Sequence, residues 1–145
     1  MAIFSVIPLL LIPILIYNVI AWSGAKFSSA EQVRARMDAE FMSIPMASET
    51  LWVITPGHGL VVLALCMLFF ELLKSTGIGR AAVMNHAFSM VLFIVCLVEF
   101  LMFPAFATSI FFMIMLMALM DTMAGFMVTI ASARRDIAVG DGYGD

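Results

Sequence analysis

Residues 84–130 constrain this chain more than any other stretch. Two apolar runs, Met84–Phe103 and Thr108–Ile130, are joined only by Pro104-Ala105-Phe106-Ala107. As a helix, each run is long enough to cross the ~30 Å hydrocarbon core of a bilayer, which takes about 20 residues. A link this short returns the second helix antiparallel to the first. Each run carries one interior carboxylate, Glu99 in the first and Asp121 in the second. An acid at the centre of a spanning helix is disfavoured by roughly 2.5–3.5 kcal/mol on insertion scales. A chain that keeps two of them needs somewhere to put them.

Two further runs, Ile3–Trp22 and Thr55–Leu73, fall in the same length class. The 145 residues are 64% hydrophobic and 12% charged, with a mean hydropathy of +1.13. That leaves too little polar surface for a soluble domain. The expected fold class is an all-α integral membrane protein: four transmembrane helices in a compact bundle spanning residues 1–138, then a flexible, Gly-rich acidic tail over 139–145. The net charge is only −3 and no basic stripe is present, which argues against a nucleic-acid partner. Cys66 and Cys96 fall inside spans and read as small buried apolar residues rather than a disulfide or zinc framework.

The first run has no Lys or Arg before it and is longer than the apolar region of a typical signal peptide, so it is expected to be a retained span. Pro8 and Pro13 within it free the Phe4 and Leu9 carbonyls and predict a bend. Tyr17 and Trp22 mark its interfacial end. In the loop that follows, Ser28-Ser29-Ala30-Glu31 offers a capping box with Ser28 as N-cap. It predicts a short amphipathic interfacial helix over about residues 29–42, with the stripe Val33, Met37, Phe41 and ion pairs Glu31–Arg34, Arg34–Asp38 and Arg36–Glu40. Thr55-Pro56 reads as N-cap and first helical residue of the second span, whose far end places Glu71 and Lys74 where both reach water. The fourth span is expected to stop before Ser132.

Helical spacing sorts the polar positions. In the third span Asn85, Ser89, Cys96 and Glu99 share a side; in the fourth, Ala118, Asp121, Gly125, Thr129 and Ser132 form one stripe of small and polar residues, the kind that packs against other helices. The opposite face of the fourth span holds Met113, Met117, Met120, Met123 and Met127, an expected interface with lipid or neighbouring chains. Counting depth at 1.5 Å per residue puts Asn18, His58 and Glu99 within roughly 4–6 Å of one surface. Asp121 is roughly 20 Å in by the same count, level with Ser89 and with the Leu9 carbonyl. Two candidate polar sites follow: Asn18, His58 and Glu99, and Asp121 with Ser89. Each is either interhelical hydrogen bonding or a functional centre. His58 and Glu99 are the only weak metal candidates. The methionine run invites Cu(I), but it lacks a soluble Met/His-rich tract, and His58 and His86 lie near opposite interfaces, which disfavours a bis-His haem. No cofactor is assigned.

The chain carries neither the Glu-Arg-x-x-x-Asn segment of eicosanoid/glutathione-type membrane enzymes nor the first-helix acid of small multidrug exporters, and these motifs assign it to no family. The expected function is that of a non-enzymatic multi-pass inner-membrane protein of bacterial type, a structural or accessory subunit packing against other membrane chains or against itself. The alternative is a small proton- or cation-conducting carrier or channel using Asp121 and Glu99; a membrane enzyme with a metal at the His58/Glu99 level ranks third. Lys74, Arg80, Arg134 and Arg135 on the side of the termini, against Lys26, Arg34 and Arg36 on the other, favour cytoplasmic termini.

Overall fold

The computed structural model describes residues 6–23, 29–74 and 80–140. Three quarters of these are helical. In order, the elements are α1 (Leu11–Trp22), α2 (Ala30–Met37), β1 (Met42–Pro45), β2 (Leu51–Ile54), α3 (Pro56–Lys74), α4 (Arg80–Met102), a 3₁₀ turn (Pro104–Phe106) and α5 (Ser109–Gly140). Among the described residues three helices are long and apolar enough to cross a membrane: Pro56–Lys74, Ala82–Met102 and Ser109–Met127. α1 is apolar but has only 12 residues, about 18 Å at 1.5 Å per residue. Residues 3–5 of the first run lie outside the described residues, and turns occupy residues 6–10 before α1 begins, so the described part holds no helix kinked at Pro8. Leu11 N–H donates to the Pro8 carbonyl at 3.1 Å and Ile12 N–H to the Leu9 carbonyl at 3.0 Å. Pro13 falls in the first turn of the helix, where no intrahelical donor is lost. The prolines therefore set where the helix starts.

α5 is the central element: α4 packs along one side of it and α3 along another, while α1 leans on α3 and α5. The predicted faces are the buried ones. Asn85, Ser89 and Cys96 on α4 and Ala118 and Asp121 on α5 are all almost fully buried, and Gly125 is buried with them. The side chains of Thr129 and Ser132 lie outside the described residues, as do the Ser28 cap, the 75–79 connection and residues 141–145 of the expected tail. α5 does not stop before Ser132 but continues to Gly140. Cys96 is buried as expected, but Cys66 is exposed on the outer side of α3, and both are free thiols.

At the Pro104 end the turn is held by a side chain. Tyr17 O–H donates to the Ala105 carbonyl at 3.1 Å and lies 2.5 Å from Thr108 Oγ1, which itself accepts from Phe111 N–H at 3.2 Å as the cap of α5. Tyr17 is therefore a core residue and not an interfacial marker. Its ring packs against Phe106 and Phe111, with centroids 5.6 and 4.7 Å away.

α2 lies over the same end. Its capping box is shifted by one residue from the expectation: Ser29 is the N-cap and Gln32 the reciprocal partner, so that Val33 and Met37 face the core. The helix ends at Met37 instead of continuing to Met42, and none of the three expected ion pairs forms. Its arginines satisfy backbone carbonyls left over at helix ends instead. Arg34 donates to Ala107 O at 2.8 Å, and Arg36 to Ile20 O at 3.1 Å and Ser23 Oγ at 2.9 Å.

The residues after α2 form an antiparallel hairpin, with Met42 paired to Ile54 and Pro45 to Leu51. Its turn is closed by Glu49 N–H to Met46 O (3.0 Å) and Met46 N–H to Thr50 O (2.9 Å), with Glu49 at φ +62°. A type I turn followed by a left-handed residue is a standard short hairpin closure.

The Tyr17 hydroxyl predicts a measurable effect. Tyr17→Phe leaves the buried Ala105 carbonyl without a donor and should lower unfolding stability by about 1–2 kcal/mol. Thermal unfolding in mild detergent, compared with the wild type, reads this directly; an unchanged midpoint means that the latch does not hold the turn.

Candidate polar site within the helix bundle

The two sites expected from sequence are not equally assembled. At the outer level, Asn18 and Glu99 do meet. Asn18 Nδ2 donates to Glu99 Oε2 at 3.3 Å and to the Ile14 carbonyl at 3.1 Å, while its Oδ1 accepts from Trp22 Nε1 at 3.1 Å. His58 does not join them. It is exposed in the first turn of α3 and takes part in a local exchange: Thr55 N–H donates to His58 Nδ1 at 3.3 Å and His58 N–H to Thr55 Oγ1 at 3.2 Å. Thr55 is the expected cap, and His58 supplies the reciprocal acceptor that a Glu or Gln usually gives. The outer cluster is thus an interhelical hydrogen-bonded link between α1 and α4, separate from the His58 cap. Among the described residues no group of three or more His, Cys, Asp or Glu side chains is placed to hold a metal.

The inner level is richer than expected. Its centre is Glu71, which does not reach water: the side chain is 0% exposed. Three elements supply its partners. Leu9 N–H, at the turn before α1, donates to Oε2 at 2.6 Å. Asn85 Nδ2 from α4 donates to Oε1. Lys74 Nζ, one turn along α3, pairs with Oε1 at 3.0 Å and donates to the Ile7 carbonyl at 2.9 Å. Lys74 is 24% exposed and connects the cluster to the surface. Leu9 contributes its N–H here; its carbonyl, expected to be free, accepts from Ile12.

Asp121 lies in this cluster, also 0% exposed. Ser89 is beside it, and Glu71, His86 and Lys74 are near enough to act on its charge. Yet neither carboxylate oxygen has a hydrogen-bond partner within 3.5 Å. The Ser89 hydroxyl turns instead to the Asn85 carbonyl, at 3.1 Å. Asn85 Oδ1 and both ring nitrogens of His86 are likewise buried without a partner. His86 packs directly on Gly125, where an added Cβ would overlap Nδ1 and Cγ of the imidazole. A glycine at this point of α5 is what admits the ring. Ser89 lies beside Asp121, and the cluster also holds Glu71, Lys74, Asn85 and His86, which the sequence reading did not place there. Counting would have found Glu71: sixteen residues after Thr55 it is roughly 24 Å deep, within one helical turn of Asp121.

Of the predicted methionine face, Met113, Met120, Met123 and Met127 are exposed. Met117 is not part of that surface, because it packs against the core cluster.

No protein-family model, no curated protein and no solved structure matches this chain.

The two polar levels should respond differently to truncation. Glu71→Ala strips the counter-charge from Lys74 and the acceptor from the part-buried Leu9 N–H and the buried Asn85 amide, and should cost about 3 kcal/mol. Glu99→Ala, at the half-buried outer level, should cost less than about 1 kcal/mol. Denaturant unfolding of both variants in mixed micelles compares them; equal losses would contradict the assignment of Glu71 as the bundle's polar centre.

Proposed function

We propose that this chain is a non-enzymatic multi-pass membrane protein that takes up a proton or a small monovalent cation at Asp121. This is the alternative reading from the sequence, with Glu71 replacing Glu99 as the second acid. One observation carries it: a fully buried carboxylate with no donor on either oxygen, in a cluster whose other carboxylate is fully partnered. An unpaired ionised carboxylate in a medium of low dielectric is too costly to persist. It is neutralised by a proton, by a cation, or by a donor taken from a neighbour. Among the described residues Lys74 supplies the ammonium at this level, and it is paired with Glu71. The unpaired acceptors nearby, Asn85 Oδ1 and the His86 ring, suit either occupant: they accept the O–H of a protonated Asp121 or help ligate a cation.

In this reading α1 is the fourth membrane segment. Its outward residues Ile12, Leu15, Ile16 and Val19 are exposed and extend the apolar surface of the longer helices. The membrane is a bacterial-type inner membrane with cytoplasmic termini, on the basis of the Lys and Arg distribution. The cluster then opens, through Lys74, on the cytoplasmic side.

The test uses the full chain in liposomes. Infrared difference spectroscopy should find a protonated carboxyl band that Asp121→Asn removes and Glu99→Gln leaves. If a cation is the occupant, the band is absent and titration with Na⁺ or K⁺ gives Asp121-dependent binding. A wild type with neither signal overturns the proposal. Because the variant replaces an uncompensated buried acid by a neutral isostere, Asp121→Asn should unfold no more easily than wild type and gain up to roughly 2 kcal/mol.

A second reading, that of an accessory subunit, is favoured by α5. This helix contacts both α3 and α4 and still keeps Met113, Met120 and Met127 uncovered. Methionine adapts to irregular partner surfaces. Native co-purification in mild detergent should retain another membrane chain or a second copy; a stable lone monomer counts against this role and leaves the Asp121 proposal standing.

A further inference from the structure

The β1–β2 hairpin has no partner in the bundle that accounts for its composition. Of the eight strand residues, only Ser43 is polar. The register puts Met42, Ile44, Trp52 and Ile54 on one face and Ser43, Pro45, Leu51 and Val53 on the other. Both faces are therefore apolar. Phe41, which extends the pairing through its N–H to Ile54 O at 3.0 Å, is 73% exposed, and Leu51 is 67% exposed. Met42, Met46, Trp52 and Val53 are exposed as well. The hairpin packs mainly on itself. An isolated two-stranded sheet is marginal in water, and this one offers water its apolar side chains on both sides.

Its position identifies what covers it. β2 ends at Ile54, and α3 begins at Pro56 with Thr55 as its cap. One residue thus separates the sheet from the outer end of a helix that is long and apolar enough to span a membrane. With α3 across a bilayer, this connection roots the hairpin at the bilayer surface, beside the end of an apolar helix. The charged residues at its ends, Glu40 and Glu49, are acidic, so attraction to anionic headgroups does not hold it there. Arg34 and Arg36 of the neighbouring helix are engaged with backbone carbonyls. Both strands also keep one unpaired edge, which excludes the sheet from the hydrocarbon core, where those groups would find no water. An indole belongs at the same depth, in the headgroup region.

We infer that the hairpin is a membrane-interface anchor: it lies flat in the headgroup region of the outer leaflet beside α3, held by apolar burial of Phe41, Leu51, Trp52 and Val53. The occupant is the lipid surface itself, bound by apolar contact and therefore insensitive to salt.

Trp52 reports its own environment. The experiment compares the full-length wild type with Trp52→Phe in phosphatidylcholine nanodiscs that hold one copy each, so that the difference spectrum isolates Trp52 from Trp22. A blue-shifted difference emission is expected. Lipids brominated near the carbonyl end of the chain should quench it about twofold, with weaker quenching by lipids brominated near the chain terminus, as befits shallow insertion. Raising the salt should leave the quenching unchanged. Red-shifted emission quenched by aqueous iodide and not by brominated lipid overturns the inference, placing the hairpin in water. Quenching by neither in single-copy nanodiscs also overturns it. So does a blue shift that appears only when two copies share a disc, which assigns the face to a second copy. A Phe41→Ser/Leu51→Ser variant, which leaves the bundle core untouched, should red-shift Trp52 and reduce its bromolipid quenching; unchanged values contradict anchoring by these side chains.

Discussion

The bundle depends on where one negative charge can be held. Glu71 is fully buried on a helix whose other interior residues are apolar, and it is tolerable there only because three separate segments bring donors to it. That requirement organises the inner half of the structure. The chain before α1 must be non-helical so that Leu9 N–H is free to point at the carboxylate, and Pro8 and Pro13 keep it so. Irregular backbone at membrane depth is permitted when it is buried in protein and its polar groups are used. The same carboxylate fixes α4 beside α3 through Asn85, and Lys74 closes the set by tying α3 to the Ile7 carbonyl.

The outer half is built by a different rule. There the polar groups are largely neutral and satisfied: the Tyr17 hydroxyl on Ala105 and Thr108, Asn18 between Trp22 and Glu99, the Thr55–His58 exchange, and two arginines on carbonyls at helix ends. Such an end is a stable closure with little chemistry left over. The inner level has the reverse character, with Asp121, Asn85 and His86 keeping buried atoms unpaired. The proposed function therefore rests on the unpaired acid Asp121 rather than on the paired acid Glu99.

What the sequence made legible was local and periodic. The cap at Thr55-Pro56, the short turn between α4 and α5, and the buried faces of both helices follow from residue chemistry and a 100° step, and all are present. Less accessible was anything decided by a partner far along the chain. Glu71 sits three residues before Lys74 near a helix end, the usual pattern of a solvated pair, and only the turn at Leu9, 62 residues away, makes it interior. His58 was drawn toward Glu99 by equal depth, but depth ignores direction around the helix, and a neighbouring N–H was nearer. The hairpin gave no alternating pattern because both of its faces are apolar, and Pro45 argued against a strand. Pro45 is accommodated because each strand of a two-stranded sheet has an open edge where a missing N–H costs nothing.

The inner cluster also limits how its two acids behave together. Among the described residues, two carboxylates lie near the Lys74 ammonium, and the donors of Leu9 and Asn85 are directed to Glu71. Two contacts of that ammonium go to Glu71 Oε1 and the Ile7 carbonyl, which holds it on the Glu71 side of the cluster. Two buried carboxylates at one level repel each other, and Lys74 lies near enough to both to offset that repulsion. Lys74, 24% exposed at the rim, carries the Glu71 side of the cluster to the surface. The cluster thus runs from a sealed carboxylate in α5, past Glu71, to a lysine side chain that reaches the surface.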